Sequence, residues 1–313
     1  MTSSTQPSSK VTDRSDQGSD FASVLRSAST DLANAGIEHG DHDALVLYAA
    51  AAGVEVSQVR KWIVMGEQTA AGSSAQIRDR FASFVRRRVK REPLQYIVGT
   101  VGFRYLEVAV GEGVFIPRPE TETVVAAGID WLRDKQIGEP LVVDLCAGTG
   151  VVGLSVASEI ANSTVFSVEK DAAAFRWLEK NEAATQARYP SMHFTPVLAD
   201  AGSAETLKEL DGRVDCVISN PPYIPLSQPT VQPEVDRDPN LALYGGSADG
   251  MEVPIRVIRR SARLLRSGGY LVMEHDISQM AAMMAAFAAY GFSRVATHKD
   301  LTGRPRFTTG VRA

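Results

Sequence analysis

Cysteine is almost missing from this sequence: the only two, Cys146 and Cys216, lie far apart. No paired spacing supports a disulfide framework or a zinc site, so a reducing compartment and a cytoplasmic location are expected. Histidine is also scarce. His39, His42, His193, His275 and His298 occur at no metal-ligand spacing, so no metal is expected and surface or hydrogen-bonded roles suit them. The opening stretch from Met1 to Asp20 lacks an apolar run that could serve as a signal peptide or membrane span. Its Ser, Thr, Gln and Asp content reads as a disordered tail over residues 1–20. Positive charge is not in excess either. The 33 Lys and Arg residues face 37 Asp and Glu, a formal net charge of −4 with the signs mixed. That balance disfavours a general binder of duplex nucleic acid.

At 313 residues and 44% hydrophobic, the chain can build one large domain and one small one. From Phe21 to Arg91 apolar residues recur at helical spacing, as in Phe21, Val24, Leu25, Ala28 and Leu32. Glycines punctuate the pattern at Gly36, Gly40, Gly53, Gly66 and Gly72, which predicts about four helices in a small bundle over residues 21–92. The last helix carries Arg86, Arg87, Arg88, Lys90 and Arg91. This cluster could meet RNA or an acidic protein face, but a solvated helix face is the favoured reading. Alternating apolar and polar residues from Gly99 to Phe115 predict a β-hairpin within a linker spanning residues 93–118.

Residues 119–313 then alternate strand and helix, the pattern of an α/β fold with a mostly parallel sheet. Strand candidates are Leu141 to Leu145, Val165 to Val168, His193 to Leu198, Val214 to Ser219 and Tyr270 to Glu274. Arg294 to His298 and Arg306 to Val311 are joined by too short a loop for a crossover helix, so this last pair should be antiparallel.

Val142-Val143-Asp144-Leu145-Cys146-Ala147-Gly148-Thr149-Gly150 sets a strand and a glycine-rich turn directly before a helix, so a ligand can approach the backbone at the sheet edge. Gly148-Thr149-Gly150-Val151-Val152-Gly153 also satisfies the dinucleotide fingerprint, so the loop alone does not separate NAD from S-adenosylmethionine. Asp144 tilts the choice, because a strand-end carboxylate suits an ammonium and sulfonium better than a pyrophosphate. Glu169, ending the next strand, could accept hydrogen bonds from both ribose hydroxyls of either cofactor. Asp200 could accept from the adenine amino group with Ala201 beside the ring, although an aspartate capping the following turn is nearly as good a reading.

Asn220-Pro221-Pro222-Tyr223 follows the strand Val214 to Ser219. A carboxamide or exocyclic amine nitrogen is a poor nucleophile because its lone pair is delocalised. The Asn220 side-chain oxygen and the Pro221 carbonyl can each accept one N–H of such an NH2 group, on a backbone that the prolines stiffen. The lone pair is then aimed at an electrophilic methyl carbon, and the same acceptors stabilise the charge that develops on nitrogen. The Tyr223 ring would pack on the planar acceptor. A rigid turn ending a buried strand is the bland alternative. In register with Asp144, the glycine loop and Glu169, the tetrapeptide points to amino-group methylation.

With these motifs stand Pro93-Leu94-Gln95-Tyr96-Ile97-Val98-Gly99, Phe115-Ile116-Pro117-Arg118-Pro119-Glu120-Thr121-Glu122, Leu241-Ala242-Leu243-Tyr244, Gly250-Met251, Gly268-Gly269-Tyr270 through Glu274-His275, and Lys299-Asp300-Leu301-Thr302-Gly303-Arg304. Together they resemble the release factor glutamine methyltransferase family, often called PrmC or HemK, over nearly the whole chain after the tail. The resemblance implies a class I S-adenosylmethionine-dependent methyltransferase fold, Rossmann-like, with a seven-stranded sheet whose last strand is antiparallel, plus a small N-terminal helical domain for substrate recognition. It implies that the substrate is the glutamine of the Gly-Gly-Gln motif of peptide chain release factors, methylated at N5. Asn220, Pro221, Pro222 and Tyr223 would hold that glutamine, and Cys146, Ala147, Gly148, Thr149, Gly150, Glu169 and Asn220 would contact the cofactor. Arg118 and Glu122 fall in the segment expected to close over the cofactor, Arg118 either reaching substrate or pairing with a carboxylate to fix the loop.

Two positions depart from the family. Cys146-Ala147 replaces glycine and another small residue, which the loop tolerates if the backbone there needs no positive φ. Ala201 stands where some relatives place a large aromatic, so the adenine contact should be weak. The segment from Ile224 to Gly246 resembles the family's substrate-side loop. A monomer without stable nucleic-acid binding is expected. An adenine N6-methyltransferase is the strongest alternative, since adenine offers the same NH2, but it would need to extrude its base and grip a phosphate backbone. An NAD-dependent oxidoreductase would leave Asn220 to Tyr223 unemployed.

Overall fold

The computed structural model describes residues 21–65, 74–228 and 234–313. The tail assigned to residues 1–20, with Gly66 and Gly72, lies outside the described residues. The chain divides into two compact units, residues 1–94 and 95–313.

In the first unit the helical periodicity becomes α1 (Phe21–Asn34), α2 (Gly40–Ala52), α3 (Val56–Met65) and α4 (Ala75–Val89). Their apolar stripes meet around an aromatic cluster in which Phe21 and Tyr48 stack edge to face at 4.8 Å and Tyr48 meets Phe81 at 5.2 Å. The basic cluster at the end of α4 is partly engaged within the bundle. Arg88 is buried and pairs with Asp43 at 2.8 Å, Arg87 pairs with Glu92, and Arg91 donates to the Gly36 carbonyl at 2.6 Å. Three of the five cations therefore hold the bundle's own backbone and acids, while Arg86 and Lys90 are exposed.

The second unit begins with α5 (Leu94–Val98), whose first residue ends the first unit, and an antiparallel hairpin of β1 (Thr100–Phe103) and β2 (Leu106–Ala109). There follow α6 (Thr121–Lys135), β3 (Leu141–Leu145), α7 (Val151–Glu159), β4 (Thr164–Glu169), α8 (Ala172–Arg188), β5 (His193–Leu198) and β6 (Val214–Ser219). The chain ends with α9 (Asn240–Leu243), α10 (Glu252–Leu264), β7 (Leu265–Glu274), α11 (Met280–Ala289), β8 (Phe292–Lys299) and β9 (Pro305–Arg312). The sheet order is β5-β4-β3-β6-β7-β9-β8, parallel except for β9, which runs antiparallel to both β7 and β8. The fold is thus the expected α/β class I methyltransferase architecture.

The central strands are buried on both faces, and alternate residues feed two cores. Val142, Cys216 and Ile218 pack with Val124, Val125 and Ile129 of α6 and Leu154 of α7. Val143, Leu145 and Val217 pack with Val257 and Ile258 of α10 and Met283 and Phe287 of α11. Each such side chain removed from water contributes roughly 1.5–3 kcal/mol, an upper figure against a compact unfolded chain.

The strand order reverses between β3 and β6, and ligands in such sheets sit at the carboxyl ends beside that switch point. Register does the rest. Leu145 lies opposite both Val168 and Ser219, and Ser219 lies opposite Met273. Glu169, Cys146, Asn220 and Glu274 therefore emerge in one row along the sheet edge.

Candidate active site

Above that row opens a cleft of about 1170 Å³, counting its mouth. Its floor is Cys146, Ala147, Gly148 and Thr149, one wall is Glu169, Asp171, Asp200 and Ala201, and Asn220 and Pro222 stand at the end beside β6. Most of the residues singled out from sequence are brought together here. Gly148, at φ 56°, has open space where a Cβ would stand, so the turn presents bare backbone to whatever fills the cleft.

Asp144 is placed differently from expectation. It is 1% exposed and does not line the cleft; its carboxylate points beneath the loop, where Oδ2 accepts from Gly153 N at 3.0 Å and Ser167 Oγ at 3.1 Å. It caps the start of α7 and ties that helix to β4. Oδ1 has no hydrogen-bond partner, and burial pushes the carboxyl up to about 7 despite the two bonds. The period of two explains the placement: Asp144 shares its face with Val142, which packs toward α7.

Cys146 occupies the left-handed region at φ 67°, so the condition for its easy tolerance in place of glycine is not met. An L residue there is strained by roughly 1–2 kcal/mol. Burial drives its thiol well above the ordinary range, so it stays protonated and is no nucleophile. Gly150, also left-handed, caps α7 from behind the lining and does not itself face the cleft.

Glu169 is half-buried and held by three backbone donors: Gly148 N to Oε2 at 2.8 Å, and Lys170 N and Asp171 N to Oε1, both at 2.7 Å. A carboxylate offers about four acceptor sites, so one remains, on Oε2, for a hydroxyl in the cleft. A second hydroxyl would displace the Gly148 bond. Burial raises this carboxyl from its ordinary value, against those three bonds. Asp200 takes the capping role, Oδ1 accepting from Gly202 N at 2.9 Å, while Oδ2 pairs with Arg256 at 2.8 Å. Burial pushes Asp200 up, but the Gly202 and Arg256 bonds outweigh it and hold the group below its ordinary value.

At the end beside β6, Asn220 donates from Nδ2 to Thr121 Oγ1 at 3.2 Å, and Thr121 Oγ1 donates to Glu274 Oε2 at 2.7 Å. Tyr223 donates its hydroxyl to Glu274 Oε1 at 3.0 Å. Tyr223 and Pro221 do not line the cleft: Pro221 is buried, and the half-buried Tyr223 is tethered to Glu274. Arg118 pairs with Asp238 at 2.7 Å and lies over the Phe115 ring at 5.1 Å. Asp238 precedes Pro239, Leu241, Ala242 and Tyr244, which cover the cleft, so Arg118 fastens this loop and lines no part of the pocket. Glu122 instead accepts from Arg104 N at 3.2 Å and secures the hairpin turn. His275 and His298 bond to Thr308 and Thr309, both at 2.9 Å.

Sequence reasoning passed over Thr121, Glu274, Arg256 and Asp238. Thr121 and Glu274 lay inside motifs already singled out, but their roles depend on partners distant in the chain.

Two family models match the chain: the PrmC N-terminal domain over residues 23–99 and conserved hypothetical protein 95 over residues 94–249. A release factor glutamine methyltransferase of Bifidobacterium longum is 50% identical, over 92% of this chain and 98% of that one. The chain belongs to the release factor glutamine methyltransferase family. A member from Streptomyces coelicolor is 45% identical over 75% of this chain and 81% of its own. The 4-amino-L-phenylalanine/4-methylamino-L-phenylalanine methyltransferase of Streptomyces pristinaespiralis is 38% identical over 68% of this chain and 70% of its own. The cleft suits the S-adenosylmethionine that methyltransferases of this fold use. The bare Gly148 turn and an open carboxylate site on Glu169 suit a nucleoside. Among the described residues no cluster of His, Cys, Asp or Glu could hold a metal, and no helix is long and apolar enough to cross a membrane.

Proposed function

We propose that this protein methylates the side-chain amide nitrogen, N5, of the glutamine in the Gly-Gly-Gln motif of peptide chain release factors. The observation that carries the reading is the orientation of Asn220. Its NH2 is committed to Thr121, so its carbonyl oxygen is left for the acceptor at the end of the cleft. S-adenosylmethionine, when bound, supplies an electrophilic methyl carbon.

The chain's own residues supply position and charge. Gly148 and Glu169 hold the nucleoside end, with Cys146, Ala147 and Thr149 beneath it and Asp200 and Ala201 at the far wall. Arg256 competes for Asp200, so any adenine amino contact there is shared. The Asn220 oxygen accepts an N–H of the substrate amide, and the partial positive charge that grows on nitrogen strengthens that bond in the transition state; the buried Pro221 stiffens the backbone behind it. Pro222 lines the slot, and Tyr223 acts from behind it through Glu274. The loop fastened by Arg118 and Asp238 excludes water.

Purified protein should transfer labelled methyl from S-adenosylmethionine to a release factor with an intact Gly-Gly-Gln motif. Equal labelling after that glutamine is replaced by alanine rejects the assignment, as does preferential labelling of DNA. Because the Streptomyces pristinaespiralis relative is named for an aromatic amine, 4-amino-L-phenylalanine belongs in the same assay; preferential labelling of it would move the acceptor class from carboxamide to arylamine.

A further inference from the structure

Glu274 ends β7 beside Asn220 in register, is 2% exposed, and touches no part of the cleft. Its two oxygens receive one hydroxyl each, Thr121 on Oε2 and Tyr223 on Oε1. We propose that Glu274 is a positioning residue which, through the Thr121 hydroxyl, dictates which end of the Asn220 carboxamide faces the methyl acceptor. The proposal rests on the reading of Asn220 as the acceptor-binding residue.

The argument is one of hydrogen-bond polarity. An ionised carboxylate only accepts. Thr121 has a single hydroxyl proton, which Glu274 takes, so toward Asn220 the Thr121 oxygen can only accept. Asn220 must then turn its NH2 to Thr121 and its oxygen to the substrate NH2. Tyr223 repeats the polarity on the other oxygen, accepting from Arg306, which Asp300 holds at 3.2 Å. With both oxygens engaged, the carboxylate cannot rotate away. Protonated on Oε2, Glu274 donates to Thr121, whose hydroxyl then rotates to point its own proton at Asn220. The amide that turns to receive it presents NH2 to NH2, which repels the acceptor.

The groups facing Glu274 are Thr121 and Glu120 at the start of α6, Tyr223 after β6 and Arg306 on β9, with His275 the next residue beyond β7. Burial dominates and raises the carboxyl to about 7; Thr121, Tyr223 and Arg306 pull down and Glu120 pushes up.

The test uses full-length Thr121→Val, Thr121→Ser and Glu274→Gln proteins, each checked for folding by thermal melting. Thr121→Val should lower kcat on a release factor by about tenfold or more, the worth of one lost bond to a charged relay, while calorimetric affinity for S-adenosylmethionine changes less than about threefold. Thr121→Ser, which keeps the hydroxyl, should recover most of the rate. Wild type should lose kcat as pH falls through about 7, and that limb should vanish in Glu274→Gln and Thr121→Val. In 15N-asparagine-labelled protein, the Asn220 side-chain NH2, assigned by its loss in Asn220→Ala, should exchange faster with solvent in Thr121→Val than in wild type.

Unchanged kcat and unchanged exchange in folded Thr121→Val overturn the relay. If Thr121→Val does not fold, retention of the pH limb in Glu274→Gln overturns it. A wild type that labels no release factor defeats the substrate assignment alone, and the exchange measurement, which needs no acceptor, then decides the relay.

Discussion

Asp144→Asn separates a carboxylate that touches a ligand from one that organises the loop beneath it. Burial raises the Asp144 carboxyl from an ordinary 3.8 to about 7. A raised carboxyl contributes stability that is fully present below the unfolded value and lost as pH rises through the folded one. From pH 5 to pH 8 the loss from this group is about 3 kcal/mol, at roughly 1.4 kcal/mol per pH unit until the folded group ionises. Glu274, also raised to about 7 from 4.5, adds a similar loss over the same window. The substituted carboxamide cannot titrate, so the variant's urea-unfolding free energy should fall about 3 kcal/mol less between pH 5 and pH 8 than that of wild type, leaving the Glu274 slope. The absolute stability at one pH decides less, because the carboxamide oxygen can keep the Gly153 and Ser167 bonds while its NH2 meets the side where Asp144 Oδ1 has no partner. An orphaned NH2 costs about 1–3 kcal/mol and offsets part of the relief. S-adenosylmethionine affinity should change only a few-fold. An unchanged pH slope together with a large loss of cofactor binding would refute the placement and return Asp144 to the ligand.

Three further substitutions probe the same floor and its neighbour. Cys146→Gly removes an L side chain from φ 67°, and thermal unfolding should show a gain of about 1 kcal/mol, partly offset by the flexibility glycine adds to the unfolded chain. Gly153→Ala would set a Cβ 2.1 Å from Ser167 Oγ and 3.2 Å from Asp144 Oδ2, so a destabilisation of several kcal/mol by urea titration is expected; a neutral result would mean that α7 sits farther from β4. Asn220→Ala should cut kcat on a release factor by about 100-fold or more, comparable to the loss of an oxyanion-hole donor, with cofactor affinity nearly unchanged by calorimetry.

The fold was legible because its signals are local. Strands from Leu141 to Leu145, His193 to Leu198 and Val214 to Ser219 appear with the expected limits, and the short link before Pro305 forces the antiparallel end pair. Glu169 and Asn220 were legible for the same reason, since a polar residue directly after a buried strand must emerge at the sheet edge. Asp144 misled because it lies near a strand end yet points down, and only its shared parity with Val142 hinted at this. The strain at Cys146 is invisible in a residue type that gives no backbone signal. Thr121 and Glu274 meet across 153 positions of sequence, and no spacing rule connects α6 to the end of β7. Arg118 with Asp238 is a similar long-range pair, 120 positions apart.

The three strands at the switch point divide the work. β3, β6 and β7 are neighbours, and each carries a polar group near its carboxyl end: Asp144 within β3, Asn220 just beyond β6, Glu274 at the end of β7. Only the middle one faces the cleft. The flanking carboxylates act on backbone and hydroxyls, Asp144 setting the turn that floors the cofactor side and Glu274 setting the amide on the acceptor side. Both are costly to ionise in their buried positions, so each of these two groups contributes more stability in mild acid than at neutrality. The relay demands the opposite, because only an ionised Glu274 fixes the polarity of Thr121. Above pH 7, where Glu274 is ionised, the protein gives up the stability of the protonated carboxyl to hold Asn220 in one orientation, the trade expected where strain and charge are stored at a working site.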